Sequence, residues 1–75
     1  MRPPQRVARD FGLALKRLRL KRNLTQQAVA DACGLDISYV GGIERGQRNP
    51  SLGVIYGLAS VLGTKPSNLL RRAKL

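Results

Sequence analysis

The side chains that could support acid, base, nucleophilic or metal chemistry are few and scattered in this 75-residue sequence. It has no His, one Cys (Cys33) and four acids, which are Asp10, Asp31, Asp36 and Glu44. Proton transfer or covalent attack needs a nucleophile beside a base, and metal sites need clustered ligands. We therefore expect no enzyme and no metal or other cofactor, and we expect Cys33 to pack as a small hydrophobic side chain.

Most of the charged side chains are cationic. The chain has 14 Lys and Arg residues, a formal net charge of +10 and a sequence pI near 11.5. Such a charge attracts a polyanion, most simply nucleic acid. An anionic membrane surface and mere solubility are the competing interpretations, but no apolar run approaches the roughly 18 residues of a membrane span, so we expect no membrane partner. Residues 1–9 lack the apolar segment of a secretory signal, which predicts a cytoplasmic protein.

Apolar periodicity, capping residues and helix breakers predict an all-α protein of five helices. The predicted helices are residues 7–22, 26–32, 37–45, 52–62 and 66–72. Residues 1–6 contain two prolines between arginines and predict a flexible basic arm, and residues 73–75 form a tail. The second and third helices, joined by a turn at Gly34, form a helix-turn-helix pattern over about residues 25–45 within a domain spanning 7–72.

The segment LKRLRLKRNLTQQAVADACGLDISYVGGIERGQRNPSL resembles the Cro/C1-type helix-turn-helix family, which is also called lambda-repressor-like or XRE. Several features occur in one register: Leu24-Thr25-Gln26, Gly34, Ile43-Glu44-Arg45-Gly46 and Asn49-Pro50-Ser51-Leu52. The chain looks most like controller proteins of restriction-modification systems and related mobile-element regulators. This resemblance implies a five-helix DNA-binding domain whose third helix enters the major groove.

Phosphate contacts are expected around the start of the second helix and the end of the third. The resemblance assigns Gln26 to phosphate, and Gln27, Tyr39, Arg45 and Asn49 are further candidates. Each of these has a structural alternative. The two glutamines can be solvated surface amides, Tyr39 can be buried in the core, and Asn49 can simply form a turn before proline.

Base contacts are expected from the start of the third helix and from the loop after it. Ser38 can donate or accept at a base edge, Ile37 can contact a thymine methyl or instead be partly packed, and Arg48 can bond guanine bidentately. Gly42 is expected to contribute clearance, because a helix without Cβ atoms there can approach DNA closely.

The resemblance also pairs Arg19 with Glu44, tying the first helix to the third in a structural role. In the fourth helix, one apolar stripe of Leu52, Ile55, Ala59 and Leu62 is expected to face the core. A second group is expected to form a homodimer interface, with burial in the monomer core as the alternative: Val54, Leu58, Val61, Leu69 and Leu70.

Together these patterns predict a sequence-specific transcriptional regulator that binds palindromic operator DNA as a homodimer and regulates its own promoter. Repression or activation would follow from the position of the site, with RNA polymerase as a further partner. The alternatives are an antitoxin or anti-regulator module that binds a partner protein, and a non-specific basic coat on nucleic acid.

Overall fold

The computed structural model describes residues 4–75, and it is helical with no strand within them. The helices are α1 (Gln5–Lys21), α2 (Gln26–Cys33), α3 (Ile37–Glu44), α4 (Leu52–Val61) and α5 (Pro66–Arg72). The predicted five-helix, all-α class is therefore confirmed. α1 packs against both α3 and α5, and α4 packs against α2 and α5, so the helix-turn-helix rests on a frame of three other helices.

Local capping fixes the ends of the helix-turn-helix. The Thr25 hydroxyl accepts the Ala28 N–H at 3.0 Å and begins α2, and the Asp36 carboxylate begins α3. Gly34, between the two helices, has a φ of 67°. Each cap satisfies a backbone donor that has no partner within its own helix, so the short helices begin where the sequence predicts.

One core joins all five helices. Its fully buried members include Leu15 and Leu18 of α1, Val29 of α2, and Val40 and Ile43 of α3. Cys33 packs against this cluster while partly exposed, and burial raises the pKa of its thiol. A hydrophobic packing role for Cys33 is consistent with both observations.

The orientation of α4 agrees with the prediction only in part: Ala59 and Leu62, its C-cap, are buried as expected. Leu52 was expected in the core but is 83% exposed, whereas Leu58 of α4 and Leu69 of α5, expected at a dimer interface, are completely buried within the monomer. The interface prediction is wrong for Leu58 and Leu69, because neither has surface left to offer a partner. Val54, Val61 and Leu70 are only partly buried.

Within the described residues, both ends of the chain are more structured than predicted. α1 begins at Gln5, with Pro4 as its N-cap, so the prediction that a flexible arm extends to residue 6 is wrong; residues 1–3 of that arm lie outside the described residues. At the other end Ala73 is buried, and the Leu75 N–H bonds to the Leu70 carbonyl at 3.1 Å. The predicted tail therefore folds back on α5.

Candidate nucleic-acid interface

The start of α3 presents Ile37 and Ser38 to solvent. Ile37 is 41% exposed and does not belong to the core cluster, so its side chain is available for apolar contact. Asp36 accepts both the Ser38 N–H (2.8 Å) and the Ser38 hydroxyl (2.6 Å). Since the hydroxyl proton is used within the cap, Ser38 is left with acceptor capacity and suits a base-edge amino group.

The Asp36 cap is fully charged at neutral pH. The Ser38 hydroxyl and, secondarily, its backbone N–H hold the pKa of the Asp36 carboxyl below its ordinary value. Because the pKa of Asp36 is lower in the folded protein, its cap stabilises the fold fully at any pH above the ordinary pKa of an aspartate. This stabilisation is lost only as the pH falls through the lowered pKa. The geometry of Ser38 is therefore constant across physiological pH.

Arg48 lies back over α3 instead of extending freely from its loop. Its guanidinium carbon is 5.9 Å from the centre of the Tyr39 ring, a cation–π distance. A Cβ atom on Gly42 would lie 2.8 Å from the Arg48 Cγ. Gly42 therefore makes room for the stem of Arg48, and Tyr39 supports its charged end.

This arrangement corrects the expected role of Gly42. Gly42 is buried, and the side chain covering it belongs to Arg48 of the same chain, so its missing Cβ does not serve as open clearance for DNA. The loop folds back because the Gln47 N–H bonds to the Gly42 carbonyl at 2.8 Å. Tyr39, predicted to contact phosphate or to be buried, is partly buried against the core.

The predicted pair of Arg19 and Glu44 is present and buried. Arg19 donates from Nε to Glu44 Oε2 at 2.6 Å and from Nη2 to Oε1 at 3.0 Å. Arg19 also donates to the Leu24 carbonyl at 2.8 Å, and Gln26 Nε2 donates to Glu44 Oε1 at 2.9 Å. The buried pair thus connects α1, α2 and α3, and it holds Gln26, the expected phosphate ligand, by its amide.

Arg45 lies across the other glycine of α3. A Cβ on Gly41 would be 2.9 Å from Arg45 Nη1 and 3.6 Å from Gln26 Oε1, and Arg45 Nε donates to Gln47 Oε1 at 3.2 Å. The Arg45 guanidinium is therefore held near the N-terminal turn of α2, where backbone N–H groups and the helix dipole also favour an anion.

The remaining predicted contacts are more dispersed. Gln27 is exposed, and its amide donates to Asp31 at 2.8 Å, so a phosphate would have to compete with that bond. Asn49 is exposed in the loop before Pro50 and lines a groove with Arg45 and Gln47. Sequence reasoning gave no role to Gln47, because its position beside Arg45 depends on how the loop folds.

Comparison with known proteins matches residues 15–69 to the helix-turn-helix family HTH_3. The chain belongs to this family. This helix-turn-helix protein is 41% identical over 61 residues to control protein C.BamHI of Bacillus amyloliquefaciens, covering 80% of this chain and 75% of the relative. It is also 36% identical over 62 residues to the uncharacterised regulator YazB of Bacillus subtilis, covering 83% and 90% of the two chains.

Solved structures show the same relationship. The crystal structure of the restriction-modification controller protein C.AhdI from Aeromonas hydrophila superposes on this helix-turn-helix protein with a TM-score of 0.81 and 48% identity, covering 83% of this chain and 94% of the controller. The resemblance to controller proteins is thereby confirmed. The protein is a DNA-binding transcriptional regulator of the helix-turn-helix type, in a family that is not one of enzymes.

None of the five helices is both long enough and sufficiently apolar to cross a membrane, a finding that covers the described part of the chain. Within residues 4–75 no group of three or more His, Cys, Asp or Glu side chains could hold a metal ion.

Proposed function

We propose that this regulator reads operator DNA in the major groove with the first turn of α3 and with Arg48, the side chain carried by the following loop. The observation that supports this most directly is the docking of Arg48 over Gly42 and Tyr39 of α3, the helix whose first turn exposes Ile37 and Ser38. A docked arginine loses less side-chain entropy when it bonds guanine O6 and N7 than a freely moving one.

Phosphate contacts position the domain in this proposal. Gln26 lies at the start of α2 with the Arg45 side chain near it, and Gln27, Tyr39 and Asn49 are proposed as secondary contacts. Because the buried Arg19–Glu44 pair holds the Gln26 amide, the geometry of the phosphate site depends on the core and not on a mobile surface side chain. Six to eight neutralised phosphates per dimer would give a slope of about −5 to −7 for log affinity against log salt.

A homodimer is part of the proposal, since one short recognition helix reads few base pairs. α4 contains no charged residue, and its exposed Leu52 and Tyr56 lie one turn apart. Ile55 of α4, with Leu70 and Leu75 at the C-terminal end, lines a small apolar groove nearby. We name these five residues the α4–α5 face, and propose that two strongly basic chains meet there because it carries no like charges.

Replacing Leu52 by glutamate is expected to weaken the dimer by at least about 30-fold, the effect of a single strong interface contact of about 2 kcal/mol. Sedimentation equilibrium measures it. Leu20→Glu is the matched control, because Leu20 is also an exposed leucine (54% exposed) but lies on α1. If both variants dimerise like the wild type, or lose dimerisation equally, the α4–α5 face is not the interface.

The proposed biological role is control of the protein's own promoter in the cytoplasm, by blocking RNA polymerase or by contacting it. Selection from random DNA followed by footprinting upstream of the gene tests this role. We expect a near-palindromic site with two protected half-sites about one helical turn apart. Equal protection of every sequence at physiological salt would favour a non-specific coat instead.

A further inference from the structure

A groove lies beside the proposed DNA-reading surface, and its α1 side has no role in the proposed function. It has a volume of about 460 Å³ and runs between the first two turns of α1 and the loop after α3. Its lining is polar and basic: Pro4, Gln5, Ala8, Arg9, Arg45, Gly46, Gln47 and Asn49. No acidic residue belongs to this lining, which is unlike a cleft that binds a cation or a basic peptide.

The groove has a rigid base formed by Gly46 and Arg9. Gly46 has a φ of 75°, and a Cβ at that position would lie 2.8 Å from both the Cα and the Cγ of Arg9. The backbone of α1 is therefore in direct contact with the loop that carries Arg45 and Arg48. As a result, the stem of Arg9 is fixed relative to the DNA-reading side chains.

The charged end of Arg9 is available to a ligand. Arg9 is exposed, and its side chain forms no hydrogen bond or ion pair with any other residue between 4 and 75. The adjacent acid, Asp10, instead lies 3.9 Å from Arg6 and lines a different groove with Arg17. Arg9 and Arg45 thus both line one polar groove whose lining has no acidic residue, and arginine side chains suit a phosphate.

We propose that this groove binds a DNA backbone phosphate flanking the base pairs read by α3, with Arg9 as its principal donor. The inference rests on the proposed function for the orientation of the domain, and it adds a contact outside the recognition site. Continuity of the groove with Arg45, Gln47 and Asn49 supports DNA as the source of this phosphate. A free phosphorylated small molecule would have the same chemistry and is separated from DNA by the test.

The test compares Arg9→Gln and Arg9→Lys on two duplexes carrying the selected site, one ending at the half-sites and one extended by about five base pairs on each side. Arg9→Gln removes the charge but keeps the stem that packs on Gly46. We expect it to weaken binding to the long duplex by about 3- to 10-fold and to reduce the salt slope by about 0.9 per subunit. Binding to the short duplex should be unchanged, and Arg9→Lys should remain within about 3-fold of the wild type.

Arg17→Gln is the matched control, since it removes an equal charge from a residue of α1 that lines a different groove. Equal effects of Arg9→Gln and Arg17→Gln, or an equal loss on both duplexes, would overturn the proposal by showing only a general charge effect. The proposal would also be overturned, in favour of a free ligand, if inorganic phosphate or a nucleotide abolished the difference in affinity between the wild type and Arg9→Gln and this difference did not depend on duplex length.

A scrambled long duplex separates this inference from the proposed function. A backbone contact does not depend on sequence, so the difference between Arg9→Gln and Arg17→Gln should persist on scrambled DNA. If the wild type binds selected and scrambled DNA equally, sequence-specific regulation is contradicted. The difference in affinity between Arg9→Gln and Arg17→Gln still shows whether Arg9 contacts the DNA backbone.

Discussion

Replacing Glu44 by alanine is expected to lower the free energy of unfolding by about 3 to 5 kcal/mol, the usual effect of removing one partner from a buried ion pair. The Glu44 side chain is 2% exposed and accepts three hydrogen bonds, two from Arg19 and one from Gln26. Its loss leaves the Arg19 guanidinium buried with only the Leu24 carbonyl as a partner. Urea unfolding followed by far-ultraviolet circular dichroism measures the change.

This loss would be large for so small a domain, whose total stability is expected to be about 4 to 11 kcal/mol. The control is the double variant Arg19→Met with Glu44→Leu, which removes both charges and keeps the volume. We expect it to recover most of the stability, because the main cost is an unpaired buried charge and not the absence of a salt bridge. A Glu44→Ala protein within about 1 kcal/mol of the wild type would contradict the structural role of the pair.

Replacing Gly12 by alanine is expected to cost about 3 kcal/mol, despite the better helix propensity of alanine. A Cβ on Gly12 would lie 2.7 Å from the Glu44 carbonyl oxygen and even closer to that of Ile43. Both atoms are backbone atoms of α3, so the clash can be relieved only by separating α1 from α3. The midpoint of urea unfolding measures the loss.

Gly53→Ala is the matched control in α4, because Gly53 is exposed and a Cβ there would have only the Ser51 hydroxyl oxygen nearby, at 3.8 Å. It should stabilise the protein by about 0.5 to 1 kcal/mol. If the two variants show the same change in stability, close contact between α1 and α3 is not required.

What could be predicted from the sequence depended on local interactions. Thr25, Asp36 and Ser51 cap their helices by bonding a backbone N–H two or three residues away, so helix starts were visible in the sequence. The buried face of α4 could be predicted only in part, because this helix has no charged residue to mark its solvent side. Leu52, predicted in the core, is 83% exposed, and Leu58, predicted at an interface, is completely buried within the monomer.

The candidate site was predictable in its residues but not in their arrangement. Family resemblance indicated Arg48 and Tyr39, whereas the contact of Arg48 with Gly42 arises only when the loop folds back over α3. The need for glycine at position 12 was missed for a similar reason, because it comes from carbonyl groups more than thirty residues away.

The most direct test of sequence-specific reading is the affinity ratio between the selected operator and a scrambled duplex, measured for the wild type and for Arg48→Ala at physiological salt. If Arg48 contacts a guanine, the ratio should fall by about 5- to 160-fold, since one bidentate base contact contributes about 1 to 3 kcal/mol of discrimination. Arg71→Ala removes the same charge from α5 and should leave the ratio unchanged. An Arg48→Ala protein that loses affinity equally for both duplexes would show that Arg48 contacts only the backbone, and would contradict the proposed reading mechanism.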